Sequence, residues 1–499
     1  MEKFFWADAI ADNIVKKVGK KKGYVCASGI TPSGEVHIGN FREVITTDMV
    51  VRALREKGHK VRFIYSWDDY DRFRKVPAGV DKKFEKYIGM PLSDVPSPDS
   101  SEKRLSYAEH FEKRFEQGLE KVGIKPEFIR QNIMNKKCTY ADLIKTAIEK
   151  RDTIMKILNK YRKEPLSKDW YPVSIYCEKC KKDFGKVVAV DGYEIEYECK
   201  CGFKNKIDFR KKGIVKAAWR VDWPMRWKFE EVVFEPGGID HSVSGGSFDT
   251  GKQIAKEVFN YPAPMYQMYE WIGVKGGGAF SSSTGNVLTL NDVEEVYEPE
   301  VLRYLFVGTR PSRAFDISFD LDVIKIYEDY DKLEEKYYSG EANPMEKRQY
   351  EVCQLKLSKK QPKRIGFRHL VTLVQVNETQ GLDKAGKIRA AKVRNWLEKY
   401  APEEMKFEFQ KKIPGSARLN KKEKEALKEL KKSLKKKDYG EKELFNEFYE
   451  ICKRIEIKNT EFFDAAYRVI INKRKGPRLA SLILAVGKEN IIKLLNQIK

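Results

Sequence analysis

The sequence predicts an α/β fold, a parallel sheet wound by helices and followed by an all-helical region. Three observations carry this. A strand, a glycine-rich turn, a long helix and a second strand follow one another before residue 67. Short strands recur between 171 and 275, and from about residue 321 helical periodicity continues to the end with little strand alternation. The 499 residues exceed one core at about 100–200 residues per domain, so three or four units are expected. With 41% apolar residues the chain buries real cores, which excludes wholesale disorder. Lys and Arg number 97 against 74 acids, a net charge of +23. That excess fits a polyanionic partner, nucleic acid first, or a lysine-rich solvated surface. No apolar run approaches the ~18 residues that span a bilayer, and charges interrupt residues 1–24, so a cytoplasmic protein with no membrane partner is expected.

Residues 1–24 read as an amphipathic helix. Gly23–Ser28 is a short apolar strand bounded by glycines, and Gly29–Gly34 is a turn. A helix runs from near His37 to Lys57, where Gly58 stops it, and Lys60–Ser66 is the next strand. This is the βαβ unit of a Rossmann-type sheet, which receives nucleotide at its strand C-termini. Residues 81–165 read as helical with a break at 91–101. Residues 171–210 carry strands at Lys186–Val190 and Tyr193–Tyr197, 214–275 alternates strands and turns, Gly276–Asn286 is a Gly/Ser loop, and Asn291–Arg310 is helical. The expected organisation is a catalytic domain in two halves (1–100 and 211–320), a helical insertion (101–170), a zinc-ribbon-like insertion (171–210), a connector (321–345) and an all-α domain (346–499). In 421–437 lysines alternate with a stripe of Leu427, Leu430 and Leu434, as in a helix seated on a bundle.

Two constellations carry chemistry. Thr31-Pro32-Ser33-Gly34 followed by His37-Ile38-Gly39-Asn40 joins the first strand to the first long helix. Glycines there allow backbone to approach a phosphate, and His37 sits where helix N–H groups already favour anions. Cys177, Cys180, Cys199 and Cys201, in a short β-rich segment, have the pairing of a tetrahedral zinc site, with one residue instead of two between the second pair. Cys26, Cys138, Cys353 and Cys452 are scattered and read as small buried apolar residues. Asp68, Asp69 and Asp71 form an acidic cluster after the second strand.

The segment around His37 resembles the first signature of class I aminoacyl-tRNA synthetases, His-Ile-Gly-His, with Asn40 in the place of the second histidine. The second signature, Lys-Met-Ser-Lys-Ser, corresponds to Ala279-Phe280-Ser281-Ser282-Ser283-Thr284-Gly285, with Ala279 and Ser282 in place of both lysines. The stretches Trp219–Trp227, Phe234–His241 and Gly245–Gly251 are similar to the class I lysyl-tRNA synthetases, and the resemblance covers nearly the whole chain. It implies an ATP-dependent ligase for lysine and tRNA(Lys), with Mg²⁺ accompanying ATP, while the structural zinc ion is expected from the four clustered cysteines. By resemblance, His37, Asn40 and the hydroxyls of Ser281, Ser282, Ser283 and Thr284 are catalytic. Thr31, Pro32, Ser33, Gly34, Gly39, Ala279, Phe280 and Gly285 join His37 and Asn40 around ATP. Gly29, Thr31, Trp219, His241 and Tyr269 form the lysine pocket, with Asp222 and Asp240 as its acids. The helical domain would read the anticodon, with Phe367, Arg368, Tyr467 and Arg468 as candidate readers. The rival readings are a class I synthetase for another amino acid and a non-catalytic RNA-binding protein on the same scaffold.

Overall fold

The computed structural model describes residues 5–19, 21–276, 278–279 and 287–498. Helix α1 (Trp6–Val18) precedes β1 (Tyr24–Ile30), helix α2 (Ile38–Glu56) and β2 (Val61–Trp67). β1 and β2 run parallel, Tyr24 against Val61 through to Ile30 against Trp67. Parallel neighbours need a crossover, and α2 supplies it. Helical structure over 81–165 is interrupted by a further strand, β3 (Glu127–Arg130), which pairs with β2. Four residues between helices are too few to carry an alternation signal.

An antiparallel sheet follows: β4 (Val173–Ile175), β5 (Gly185–Asp191), β6 (Glu194–Cys199), β7 (Lys204–Asp208) and β8 (Val215–Ala217), in the order β7–β6–β5–β4–β8. Its Ile175, Ile195, Tyr197 and Ile207 share one core with Ile144, Ile154 and Ile157 from the preceding helices. The helical and cysteine-bearing insertions, expected as separate segments, are therefore packed together.

β9 (Val232–Gly238) and β10 (Met265–Tyr269) complete the main sheet, ordered β10–β9–β1–β2–β3 with every pair parallel. Successive strands leave β1 in opposite directions, so a crevice opens at the C-termini of β1 and β9. The aromatic stretch from Trp219 forms a helix, Trp219–Glu230, where strands and turns were expected. Its buried Val221, Asp222, Met225 and Trp227 recur at helical spacing, and the aromatic content masked that period. The expected helix at 291–310 is two, Leu290–Val296 and Pro299–Val307, the second opening on a proline.

The chain divides into two compact units. The first is Met1–Glu294, Leu302–Ile317 and Ala342–Leu357; the second is Glu295–Val301, Ser318–Glu341 and Ser358–Lys499. The boundaries expected at 320 and 345 are displaced. Residues 342–357 stay with the first unit because Arg348 pairs with Asp8 at 2.8 Å and Glu56 at 2.5 Å. The second unit is helical throughout its described residues, with Leu427, Leu430, Phe448, Phe462 and Ile483 in its core. Phe367 is fully buried and stacks on Tyr327, so it is core and not a free base-stacking surface. Arg368 pairs with Glu328, Arg468 with Asp464 and Glu423, and the Tyr467 hydroxyl donates to the Pro477 carbonyl. Among the described residues no helix is long and apolar enough to cross a membrane.

Candidate active site

A cleft of about 490 Å³ opens where the strand order reverses. The ends of β1, β2, β9 and β10 and the start of α2 all contribute to it. Gly29 fits because β1 passes close to β2: a Cβ there would stand 2.6 Å from the Ser66 carbonyl oxygen.

Glu43, on α2, forms part of the floor. One carboxylate oxygen accepts from the Gly29 N–H at 2.8 Å, and the other from the Tyr269 hydroxyl at 2.8 Å. Burial pushes its carboxyl up to about 8 against the pull of those two bonds, and the Glu235 and Asp68 carboxylates add to the rise. Glu235, also lining the cleft, accepts from Trp227 Nε1 at 2.6 Å, and burial pushes it up to about 7. Neither acid stands out in the sequence. Glu43 occupies an ordinary mid-helix position, and Glu235 lies inside an apolar strand.

Beside them runs a chain of alternating charge. Asp71 accepts from the Thr31 hydroxyl at 2.9 Å and pairs with Lys216. Burial alone would raise the Asp71 carboxyl, but the Lys216 ammonium and its hydrogen bonds hold it below the ordinary range. Lys216 Nζ lies 4.0 Å from Asp222, and Arg226 Nε lies 3.3 Å from the same carboxylate. Arg226 then forks onto Asp68 at 2.7 and 3.2 Å and donates to Ser66 Oγ at 2.6 Å. Three carboxylates thus share two cations. Asp222 is only 2% exposed, and its Oδ1 has no hydrogen-bond partner. Burial raises its carboxyl, with Arg226 and Lys216 opposing. This acid is matched by the protein's own cations, whereas Glu43 and Glu235 face the cleft without one.

His37 is the N-cap of α2. Its backbone N–H donates to Asn40 Oδ1 at 3.1 Å, which leaves the Asn40 amide nitrogen as that side chain's donor. Burial lowers the His37 pKa, so the neutral imidazole prevails near pH 7. A Cβ at position 39 would lie 2.8 Å from His37 Nδ1, so Gly39 provides the room the ring occupies. The Ile38 N–H donates to the Leu288 carbonyl at 2.8 Å, and His37 bridges to Thr289. His241 shares a 2.6 Å hydrogen bond with the Ser247 hydroxyl, its ring 5.8 Å from that of Trp223, and burial lowers its pKa.

Of the sequence-derived site residues, Gly29, Thr31, Ser33, Gly34, His37, Asn40, Trp219, Asp222, His241 and Tyr269 all line the cleft. Pro32, in the turn, and Gly39, at the start of α2, do not line it. Asp240 does not belong: it is exposed on the short helix Ile239–Ser242, outside the lining. Glu43 and Glu235 line the cleft instead, beside Asp222. Phe280, Ser281, Ser282, Ser283, Thr284 and Gly285 lie outside the described residues, and Ala279 belongs to the short strand Gly278–Ala279.

The four clustered cysteines converge, their sulfurs all within 4.8 Å of one another. Cys177 to Cys201 and Cys180 to Cys199 are each 3.7 Å apart. A tetrahedron with Zn–S bonds of about 2.3 Å has edges of about 3.8 Å, so the donor set and spacing fit zinc. Lys181 and Gly202, both at positive φ, follow the second and fourth cysteines and turn the chain at each knuckle. The one-residue spacing is accommodated because Gly202 N–H closes onto the Cys199 carbonyl at 2.8 Å.

Residues 4–358 match the family described as tRNA synthetases class I (K). The chain is 44% identical to a lysine–tRNA ligase of Borreliella burgdorferi over 99% of both chains. It is 42% identical to one of Treponema pallidum over 98% of both. A lysine–tRNA ligase of Pyrococcus horikoshii is 40% identical over 98% of this chain and 99% of its own. Among solved structures, a glutamate tRNA ligase from Elizabethkingia meningosepticum is similar over 96% of this chain and 99% of its own, at 14% identity and a TM-score of 0.47.

Proposed function

The chain belongs to the class I (K) tRNA synthetases, and from that premise we infer that it is a lysine–tRNA ligase. The reaction has two steps. The lysine carboxylate attacks the α-phosphorus of ATP, which arrives as its magnesium complex, releasing pyrophosphate and leaving lysyl-adenylate. The 3′-terminal ribose of tRNA(Lys) then attacks the mixed anhydride and releases AMP. The work of the protein is positioning and charge stabilisation.

The observation that carries the substrate reading is the cleft floor. Glu43 and Glu235 face the cleft while the neighbouring acids are already matched to Lys216 and Arg226. A substrate ammonium supplies the missing positive charge; a glutamate side chain would add another negative one. In this reading Glu43 and Tyr269 receive the ε-ammonium, and Gly29, Thr31, Trp219 and His241 surround the rest of lysine. His37, the Asn40 amide and the start of α2 receive the phosphates. The hydroxyls of Ser281–Thr284, with Ala279, Phe280 and Gly285, cradle pyrophosphate. Cys177, Cys180, Cys199 and Cys201 hold one zinc ion that fastens the knuckles and takes no part in the reaction. The enzyme works in the cytoplasm, where its remaining thiols stay reduced.

ATP–pyrophosphate exchange with a panel of amino acids tests the reading. Lysine should support exchange and transfer to tRNA(Lys); greater exchange with glutamate or cysteine would overturn it. Metal analysis of reduced protein should find about one zinc per chain, released when Cys177 and Cys180 are both changed to serine. Protein purified under reducing conditions without metal would remove zinc from the account.

A further inference from the structure

The antiparallel sheet that carries the cysteines also reaches the cleft. Lys216, which pairs with Asp71, lies on β8 opposite Ser174 of β4. β4 runs directly into Tyr176 and Cys177. The Tyr176 N–H donates to the Ile214 carbonyl at 2.9 Å, which ties this residue to the start of β8. Its hydroxyl donates to the Tyr70 carbonyl at 2.7 Å, and the Tyr70 hydroxyl donates to the Gly213 carbonyl at 2.7 Å. The two rings meet edge to face with centroids 5.0 Å apart, and both are buried. A Cβ at position 213 would stand 2.4 Å from Lys136 Cα, so the segment that receives the Tyr70 hydroxyl is itself packed tight. The carbonyl held by Tyr176 belongs to the peptide bond that joins Tyr70 to Asp71. Asp71 accepts from the Thr31 hydroxyl at 2.9 Å, and Thr31 opens the turn that leads to His37. A line of contacts thus begins at a hydroxyl outside the cleft lining and ends on a side chain that lines it.

We propose that Tyr176 is a positioning residue for lysine activation. Its hydroxyl fixes the Tyr70–Asp71 peptide, and through Asp71 it fixes Thr31 and the turn before His37. Lys216 cannot do this alone. An ammonium is a point charge that follows a carboxylate through small shifts, whereas a hydrogen bond to a carbonyl weakens steeply off its line. The chemical step is the sensitive one, since a displacement of about 1 Å can cost about a hundredfold in rate. Lysine itself is held elsewhere, by Glu43 on α2 and Tyr269 on β10, and the Tyr176 hydroxyl bonds to neither. Loss of that hydroxyl therefore acts on kcat and leaves KM for lysine nearly alone. The proposal rests on the ligase reading above.

The test uses the full-length protein with Tyr176→Phe, which removes the hydroxyl and keeps the ring. In lysine-dependent ATP–pyrophosphate exchange, kcat should fall about threefold to tenfold, the scale of one buried hydrogen bond, with KM for lysine within about twofold of wild type. Thr31→Val cuts the same line at its far end. Adding Tyr176→Phe to Thr31→Val should cost less than about twofold more, because residues joined in one hydrogen-bonded line are not additive. Tyr193→Phe is the control: it removes a hydroxyl of the same sheet that donates to Asp142 at 2.7 Å, and exchange should keep the wild-type rate. Urea unfolding checks that each variant is folded under the assay conditions. A kcat equal to wild type in Tyr176→Phe would overturn the proposal, and so would a rise in KM for lysine with kcat unmoved. A full multiplicative loss in the double variant would overturn it too. An equal loss in Tyr193→Phe would assign the effect to the sheet as a whole, with the same consequence. If wild type itself shows no lysine-dependent exchange, the ligase reading fails, and that failure appears without any variant.

Discussion

Each unit buries a network of charged side chains, and the two are finished differently. In the helical unit, Arg389 sends its Nε to Glu298 at 2.6 Å and its two Nη to Asp331 at 2.8 and 3.0 Å. Arg364 forks onto Glu334 at 2.9 and 3.1 Å and reaches Glu298 at 3.5 Å. The flat ring of Tyr327 lies 5.0 Å from the Arg389 guanidinium. In the α/β unit, the chain from Asp71 to Asp68 ends beside an open cleft with an excess of carboxylate and with Asp222 Oδ1 unpartnered. The residue types are the same. Each network sets three carboxylates against two cations, so the difference lies beside them. The cleft adds Glu43 and Glu235, which pair with no cation among the described residues, and a buried carboxylate left so beside a cavity is arranged for something that arrives later.

The largest effect expected from this contrast is on stability. Arg389→Met leaves Glu298 and Asp331 without their main partner and should cost about 3–5 kcal/mol. Urea unfolding measures it, and the folded fraction should keep its KM for lysine. A loss below about 1 kcal/mol would mean that the helical network is as incomplete as the cleft. His37→Ala should reverse the pattern: exchange falls about tenfold to a thousandfold, the scale of losing a donor that tightens in the transition state. Its unfolding midpoint should stay near wild type. Equal rates in variant and wild type would take His37 out of the chemistry.

Glu43→Gln sharpens the contrast within the cleft. It should raise the KM for lysine about tenfold to a hundredfold, the weight of a hydrogen bond to a charged group, with KM for ATP unmoved. The last effect is in pH. With the Glu43 carboxyl pushed up to about 8 from its ordinary 4.5, the folded protein holds a proton that the unfolded chain has released across that window. Unliganded stability should therefore decline as pH rises from about 5 to 8. Lysine, which needs the ionised carboxylate, should bind more tightly over the upper part of that window. KM for lysine is expected to drop about fiftyfold between pH 6 and 8, and to keep in the Glu43→Gln protein only the smaller dependence set by Glu235, whose carboxyl is pushed up to about 7. A pH profile shared by both proteins would shift the role to another group.

The sequence made the first βαβ unit legible because glycines bracket each element and α2 has both a start and a stop signal. The cysteine cluster was legible because its four thiols are close in sequence. Glu43 was not, because its importance comes from Gly29 and Tyr269, 14 residues before and 226 after it. Asp240 was legible for the wrong reason: it neighbours His241, but a short helix turns it outward. The unit boundary was hidden as well. A cut at residue 345 would strip Tyr327 of its stacking partner Phe367 and Phe319 of the Trp396 indole that donates to its carbonyl at 2.8 Å. Such a truncation should expose apolar surface and aggregate, so testing the helical unit calls for substitutions within the full chain.

The strand order also sets a timetable for synthesis. Val25 of β1 pairs on one side with Arg62 and on the other with Val232. The first partner leaves the ribosome 37 residues after Val25, the second 207 residues after it. At about 5–20 residues per second, one edge of β1 waits on the order of 10–40 s for its neighbour. During that wait the residues of the intervening insertion, with their own core and cysteine cluster, are all made. The half-sheet β1–β2–β3 therefore presents an apolar unpaired edge to the cell before the cleft exists, and that edge is where a nascent chain of this protein is most open to wrong pairing and most in need of cover.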